Sequence, residues 1–172
     1  MTTLIALLRA VNVGGAGKLL MVDLRALCEK AGFTDVRTYI QSGNVVFSSK
    51  RTAGQARVTL EAALSKRLDR ATQVIVRTAD DLDAVIAANP FPEAEPNRLL
   101  VVFLSREESS SELDGWEIPG SERFELVGRE LFIHYPEGIG QSKLKTPFVD
   151  RGTARNLNTV RALVAMARQE PT

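Results

Sequence analysis

Glycines stand beside polar and cationic side chains in three separated segments of the sequence, a combination suited to binding phosphate. Glycines leave backbone N–H groups accessible to an anion, lysine and arginine neutralise its charge, and asparagine and glutamine orient polar edges. In the amino-terminal half, the candidate ligand-binding residues are Arg9, Asn12, Gly14, Gly15, Lys18, Gln41, Ser42, Gly43 and Asn44. In the carboxy-terminal half they are Gly138, Gly140, Ser142, Lys143, Arg155 and Asn156.

A simpler interpretation of these segments stays open. The glycines then only make turns, the asparagines only satisfy backbone groups, and Lys143 is a solvated lysine beside a helix cap. The known phosphate-binding motifs do not decide the matter, because a P-loop needs glycine where Asn12 stands and Ser or Thr where Leu19 stands. A dinucleotide-binding fingerprint starting at Gly15 would need glycine in place of Leu20.

The residue inventory limits other chemistries. The chain has one cysteine, Cys28, and one histidine, His134, which excludes an intrachain disulfide and a zinc site built from Cys and His. A magnesium site made of carboxylates and water remains open, and the sequence indicates no cofactor. Cys28 lies on the apolar face of a predicted helix, which favours a buried structural thiol, and His134 alternates along a predicted strand. Trp116 is a single aromatic without the interleaved basic residues of a base-stacking platform.

The charge balance and the lengths of the apolar runs limit the class of protein. The 22 Lys and Arg residues nearly equal the 21 Asp and Glu residues, so the net charge is +1. That balance argues against a protein that coats nucleic acid or a membrane surface, but it leaves room for a local basic site. Arg9 interrupts the apolar start, and the run Leu99 to Leu104 is far shorter than the ~20 residues that span a bilayer. We therefore expect a cytoplasmic protein without a membrane partner.

The first half of the sequence predicts a βαββαβ order, which is typical of a ferredoxin-like unit. The predicted elements are a strand at 3–8, a helix ending at Gly32, strands at 36–40 and 45–48, a helix capped by Thr52, and a strand at 73–77. The first helix carries the chain back, so the first two strands run parallel. We therefore expect the loop after the first strand and the hairpin after the second to meet at one edge of the sheet.

The second half predicts a related order, βαββα, in which a helix replaces the last strand. Its predicted elements are a strand at 99–104, a helical turn near 109–113, a hairpin across Gly128, a short helix from Ser142 and a closing helix at 158–168. Three prolines between residues 89 and 96 prevent regular structure. The prediction is an α+β chain of two ferredoxin-like lobes, with residues 1–88 and 98–172 joined by a linker at 89–97.

Several motifs together resemble one bacterial family, the domain of unknown function 1697 family. They are Leu7–Gly15, Thr38–Val45, Val102–Leu104, Tyr135–Gly140, Ser142–Leu144 and Thr153–Asn156. The resemblance implies a two-lobed α+β protein and no established activity or cofactor. Ala10 stands where the family usually has glycine, and Leu157 stands where it usually has tryptophan.

The leading functional hypothesis is a site between the lobes for a phosphate-bearing ligand, either a nucleotide or a segment of nucleic acid. An alternative is a hydrolase that uses Ser42 or Ser142 as nucleophile with Lys143 as base. A further alternative is a protein-interaction module, in which the acidic stretch from Glu107 to Glu125 pairs with the basic carboxy-terminal segment.

Overall fold

Two four-stranded antiparallel sheets and the helices beside them make up an α+β protein. The computed structural model describes residues 1–9, 19–39, 43–148 and 150–169. The described residues form two units, one from Met1–Leu82 with Leu163–Thr172 and one from Asp83–Ala162.

The first unit is built on a sheet with the strand order β2-β3-β1-β4. Its elements are β1 (Thr2–Leu8), α1 (Met21–Lys30), β2 (Thr34–Tyr39), β3 (Asn44–Ser49), α2 (Ala53–Leu68) and β4 (Val74–Thr78), followed by α3 (Ala79–Ala87). β3 pairs antiparallel with both β1 and β2, so β1 and β2 are parallel, as the sequence predicts. One face of this sheet packs its alternating apolar residues, such as Leu4 and Phe47, against Leu24 of α1 and Leu60 of α2.

Capping hydrogen bonds and a glycine turn set the ends of the helices in the first unit. Thr52 caps α2 through a reciprocal capping box with Gln55, and Thr78 exchanges the same pair of hydrogen bonds with Asp81 at the start of α3. After α1, Gly32 adopts a φ of +97°, a conformation that favours glycine and turns the chain into β2. The predictions of α1 ending at Gly32 and of α2 capped by Thr52 are confirmed.

The second unit is built on a sheet with the strand order β6-β7-β5-β8. Its strands are β5 (Leu99–Leu104), β6 (Arg123–Val127), β7 (Glu130–His134) and β8 (Gly152–Asn156), and α4 (Leu157–Arg168) follows β8. Short 3-10 helices lie at Pro96–Arg98, Ser110–Leu113 and Ile139–Gln141. In the proline-rich segment before β5, Phe91 and Ala94 are buried.

Two predictions for the second half are wrong. A helix does not replace the last strand, because Gly152–Asn156 pairs antiparallel with β5 along its length. No helix begins at Ser142, since the short 3-10 helix ends at Gln141 and the next residues are irregular. Pro147 disfavours helical backbone at the residue before it, which leaves too little chain for a stable helix.

Candidate functional site

The first loop edge is the end of the first sheet where β1 and β2 stop and β3 and β4 start. Backbone hydrogen bonds join its loops: Leu8 N donates to Gly43 O at 2.9 Å, and Arg9 N donates to Gln73 O at 3.0 Å. The side-chain amide of Asn44 donates to Tyr39 O at 3.0 Å. The structure therefore brings Arg9, Gly43 and Asn44 to one edge, which confirms this part of the predicted convergence.

Asn44 and Gly43 have structural roles at this edge. Asn44 is fully buried, and its amide holds the carbonyl group at the end of β2. Gly43 has a φ of +81°, so the turn before β3 favours glycine on conformational grounds. The simpler interpretation, in which these two residues serve the backbone, accounts for both.

A surface pocket of about 390 Å³ opens at the first loop edge beside Arg9. Its other lining residues are Glu61, Arg70, Ala71, Thr72 and Gln73. Arg70 is exposed and Arg9 is half-buried, so two guanidinium groups line one small pocket. Glu61 is the pocket's carboxylate, and Arg57 forms an ion pair with it at 2.5 Å. The described lining of this pocket therefore carries more positive than negative charge.

Sequence reasoning missed Arg70 and Thr72. They lie in the short loop between α2 and β4, which begins with Asp69 in the left-handed conformation, at a φ of 55°. The sequence contained a signal for both residues. The loop that holds them comes just before the strand predicted at 73–77, and that strand must start at the edge of the sheet where its neighbour β1 ends. Six predicted site residues lie outside the described residues: Asn12, Gly14, Gly15, Lys18, Gln41 and Ser42.

The second loop edge is the end of the second sheet where β7 and β8 stop and β5 and β6 start. Gly138 follows β7 with a φ of +93°, and its N–H donates to Tyr135 O at 2.9 Å. Asn156 ends β8 and accepts a hydrogen bond from Thr159 N at 2.9 Å, so it caps α4. Gly140 lies in the exposed 3-10 helix between them in sequence. Because that helix has three residues, it provides no helix N-terminus for an anion.

The hydroxyl group of Ser142 forms two hydrogen bonds at this edge. The hydroxyl donates to Glu122 Oε1 at 2.7 Å and accepts from Leu144 N at 3.0 Å. The hydrogen bond from Ser142 lowers the pKa of the Glu122 carboxyl group, with a smaller contribution from backbone N–H groups. A carboxylate with a lowered pKa is a weak general base, so this pair resembles a structural contact more than an activated nucleophile. The hydroxyl's partner is Glu122, whereas the hydrolase hypothesis requires Lys143.

Arg155 and Lys143 have opposite surroundings. Arg155 is buried in β8, where its guanidinium group donates to Thr153 Oγ1 at 2.6 Å and Ala154 O at 2.8 Å. Burial lowers the pKa of Arg155 to about 10. Lys143 is exposed and lines a groove with Trp116. The two cations therefore do not form one exposed cluster, and the prediction that the two loop edges share a cleft stays a prediction.

His134 lies at the second loop edge within an ion-pair cluster. Arg123 contacts Glu93 Oε1 at 2.6 Å and His134 Nδ1 at 3.4 Å, and its guanidinium carbon lies 4.9 Å from the centroid of the Phe91 ring. Burial, and then the positive charge of Arg123, lower the pKa of His134. The histidine is therefore a packed strand residue that favours its neutral form.

Neither a metal centre nor a membrane-spanning helix is found in the described part of the chain. Within residues 1–9, 19–39, 43–148 and 150–169, no three His, Cys, Asp or Glu side chains group closely enough to hold a metal ion. Across the same residues, every helix is too short or too polar to cross a bilayer.

Comparison with known proteins gives a family and a fold. The model of the family described as protein of unknown function (DUF1697) matches residues 1–132. The chain belongs to this family. The DUF1697 assignment confirms the resemblance that the sequence motifs carry, and no curated protein matches the chain.

A solved structure supports this fold over nearly the whole chain. It is that of a conserved bacterial protein, SP0830 from Streptococcus pneumoniae, to which this chain is similar with a TM-score of 0.79 and 22% identity. The similarity covers 97% of this chain and 99% of the other. At this identity the comparison establishes shared architecture, while function has to be argued from the residues themselves.

Proposed function

We propose that the first loop edge binds a phosphate-bearing ligand, either a nucleotide or a segment of nucleic acid. The observation that carries this proposal is the pairing of Arg9 and Arg70 in one surface pocket. Guanidinium groups bind phosphate oxygens through two parallel hydrogen bonds, so two of them on one pocket favour that ligand.

The surrounding polar groups support an oxyanion ligand over a simple halide. Thr72 and Gln73 line the same pocket and carry hydrogen-bonding groups. The sequence also predicts that Lys18, Gln41 and Ser42 extend the site, but the tests below rest on Arg9 and Arg70.

We infer further that the first unit is a ferredoxin-like fold and that the second is a degenerate copy. The βαββαβ element order and the strand order β2-β3-β1-β4 support the first inference. In the second unit a 3-10 turn takes the place of the first helix and an irregular segment takes the place of the second. Residues 89–97, where the sequence predicts a linker, fall inside the second unit, which begins at Asp83. We also propose that the protein is cytoplasmic, which its single cysteine supports.

A thermal-shift experiment with inorganic phosphate, ATP and a short oligonucleotide tests the binding proposal. A ligand at a hundredfold excess over its dissociation constant adds about 2.7 kcal/mol to the free energy of unfolding, or about 5–10 °C in Tm for a chain of this size. A shift with ATP and phosphate supports a nucleotide site. If only the oligonucleotide shifts the Tm, and the shift falls steeply as the salt concentration rises, the ligand is a segment of nucleic acid. No shift with any of the three probes overturns the proposal.

Calorimetric titration of variants with the same probe locates the site. Arg70→Ala removes an exposed guanidinium group without touching the core, and we expect it to weaken binding about tenfold or more, since a hydrogen bond to a charged group is lost. Arg9→Ala is expected to act similarly, because the backbone N–H that holds Gln73 remains. Arg106→Ala is the matched control, as it removes an exposed, ion-paired arginine from the second unit. Equal affinities in Arg70→Ala and Arg106→Ala would place the ligand elsewhere.

A further inference from the structure

A second candidate site lies on the second unit and includes one of the predicted site residues, Lys143. Residues 115–119 and the two lysines Lys143 and Lys145 line a groove of about 630 Å³, called here the tryptophan groove. Its apolar lining includes Trp116, which is 36% exposed, and Ile118, which is 42% exposed. Exposed aromatic and aliphatic side chains that share a concave surface are typical of a binding site.

The Trp116 ring is held in place within this groove. Its indole N–H donates to the backbone carbonyl of Lys145 at 2.8 Å. Because that N–H is the only polar group of the indole, the exposed part of the ring offers a ligand an apolar π surface. A ring fixed by a hydrogen bond loses little conformational entropy when a ligand stacks on it.

The charges around the ring favour an anionic ligand. Lys143 and Lys145 are both exposed and line the groove, whereas Glu117 is the one carboxylate among the described residues that line it. The lysines lie 27 and 29 residues from Trp116 in sequence, so folding brings them to the aromatic ring. An exposed indole beside two ammonium groups matches a ligand that has both a flat ring and adjacent phosphates.

We propose that the tryptophan groove binds single-stranded nucleic acid, with one base stacked on Trp116 and neighbouring phosphates contacted by Lys143 and Lys145. Stacking on an aromatic side chain needs no particular base, since every base has a π face. The side chains of an acidic peptide can pair with the lysines, but carboxylates do not stack on the exposed part of the indole. Nucleic acid is favoured because it supplies both a flat ring and phosphates. This site is independent of the first loop edge, and either proposal can fail without the other.

Trp116 is the only tryptophan in the chain, so its fluorescence reports directly on the groove. Titration with an oligothymidylate of about ten nucleotides should quench this fluorescence in a saturable way. Two phosphates neutralised on a single strand predict a slope of about −1.4 in log affinity against log salt, or about a sevenfold loss between 50 and 200 mM salt. Absence of quenching at low salt overturns the proposal.

Variants at the two lysines test how much the contacts between lysine and phosphate contribute to binding while the indole stays in place. The double variant Lys143→Ala with Lys145→Ala keeps the carbonyl group that holds the indole, and we expect weaker quenching and a nearly flat salt dependence. Glu117→Gln removes the opposing carboxylate and should raise the affinity. Lys50→Ala, an exposed lysine in the first unit, is the matched control and should change nothing. Unchanged quenching in the double variant overturns the proposal.

The contribution of the indole itself requires a different readout. With a fluorescently labelled oligothymidylate, Trp116→Ala should lower the affinity about tenfold, and Trp116→Phe should retain part of it, because a smaller ring still stacks. Circular dichroism of both variants checks that the fold is kept. Polyglutamate that competes as strongly as the oligonucleotide would show a surface for acidic polymers in general and would overturn the proposal.

Discussion

Replacing Gly152 with alanine should destabilise the second unit, because β8 runs too close to β5 to accept a side chain. Gly152 pairs with Leu104 at the start of β8. A Cβ atom built on Gly152 would lie 2.3 Å from the carbonyl oxygen of Phe103 and 3.0 Å from Leu104 Cδ2. A carbon and an oxygen in ordinary contact are about 3.3 Å apart, so roughly 1 Å of space is missing.

The surroundings of Gly152 leave little room for this clash to relax. Phe103 and Leu104 are fully buried, and β5 is held by β7 on one side and β8 on the other. Overpacking of an interior costs about 1–3 kcal/mol, and an immobile backbone atom points to the upper part of that range. The lower chain entropy of unfolded alanine offsets about 0.4–1 kcal/mol. The expected net loss is therefore about 1–2.5 kcal/mol.

Urea unfolding followed by the fluorescence of Trp116, which lies in the second unit, measures this loss. The free energy of unfolding falls by about 2 kcal/mol per molar urea, so the unfolding midpoint should fall by about 0.5–1.3 M. Gly54→Ala is the matched control, because a Cβ at this exposed position of α2 meets nothing within 4 Å. That variant should leave the protein unchanged or stabilise it by up to about 1 kcal/mol. A midpoint in Gly152→Ala at or above that of the wild type would refute the packing argument.

Two further predictions concern titratable groups. Burial, reinforced by the neighbouring Glu29 carboxylate, raises the pKa of the Cys28 thiol to about 12. We therefore expect a thiol reagent to label the native protein at neutral pH far more slowly than the urea-unfolded chain, and rapid native labelling would contradict the burial of Cys28. The lowered pKa of His134 means that its contribution to stability is present above the unfolded value of ~6.5 and is lost as the pH falls through the folded pKa. In an NMR titration, Arg123→Ala should raise the pKa of His134, because a nearby positive charge is removed. An unchanged pKa would contradict the contribution of Arg123.

Most helices and strands could be predicted because their signals are local. The run Leu99 to Leu104 is β5 without any shift of its ends, and the closing helix predicted at 158–168 begins one residue earlier, at Leu157. Caps such as Thr52 and turns such as Gly32 act within a few residues, so their chemistry can be read from adjacent positions. The same locality explains the agreement on the first loop edge, since a helix between two strands makes them parallel.

The errors arose where tertiary contacts outweigh local pattern. β8 is short and carries polar side chains on both faces, and its pairing with β5 supplies the backbone partners that make it a strand. Arg155 belongs to a basic segment, which indicates an exposed residue, yet it is buried in that strand and bonded to Thr153. Ser142 resembles a helix start, but its hydroxyl group is bonded to Glu122 instead.

By itself, the sequence determined the α+β class, the family and the order of nearly all the elements, because apolar periodicity and capping act over short stretches of chain. Only the tertiary structure decided which polar groups share a surface. Arg70 joins Arg9, and Lys145 joins Trp116, through strand pairing and loop packing between distant segments. No spacing in the sequence records these pairs, since the distance along the chain between two residues does not set their distance in the fold.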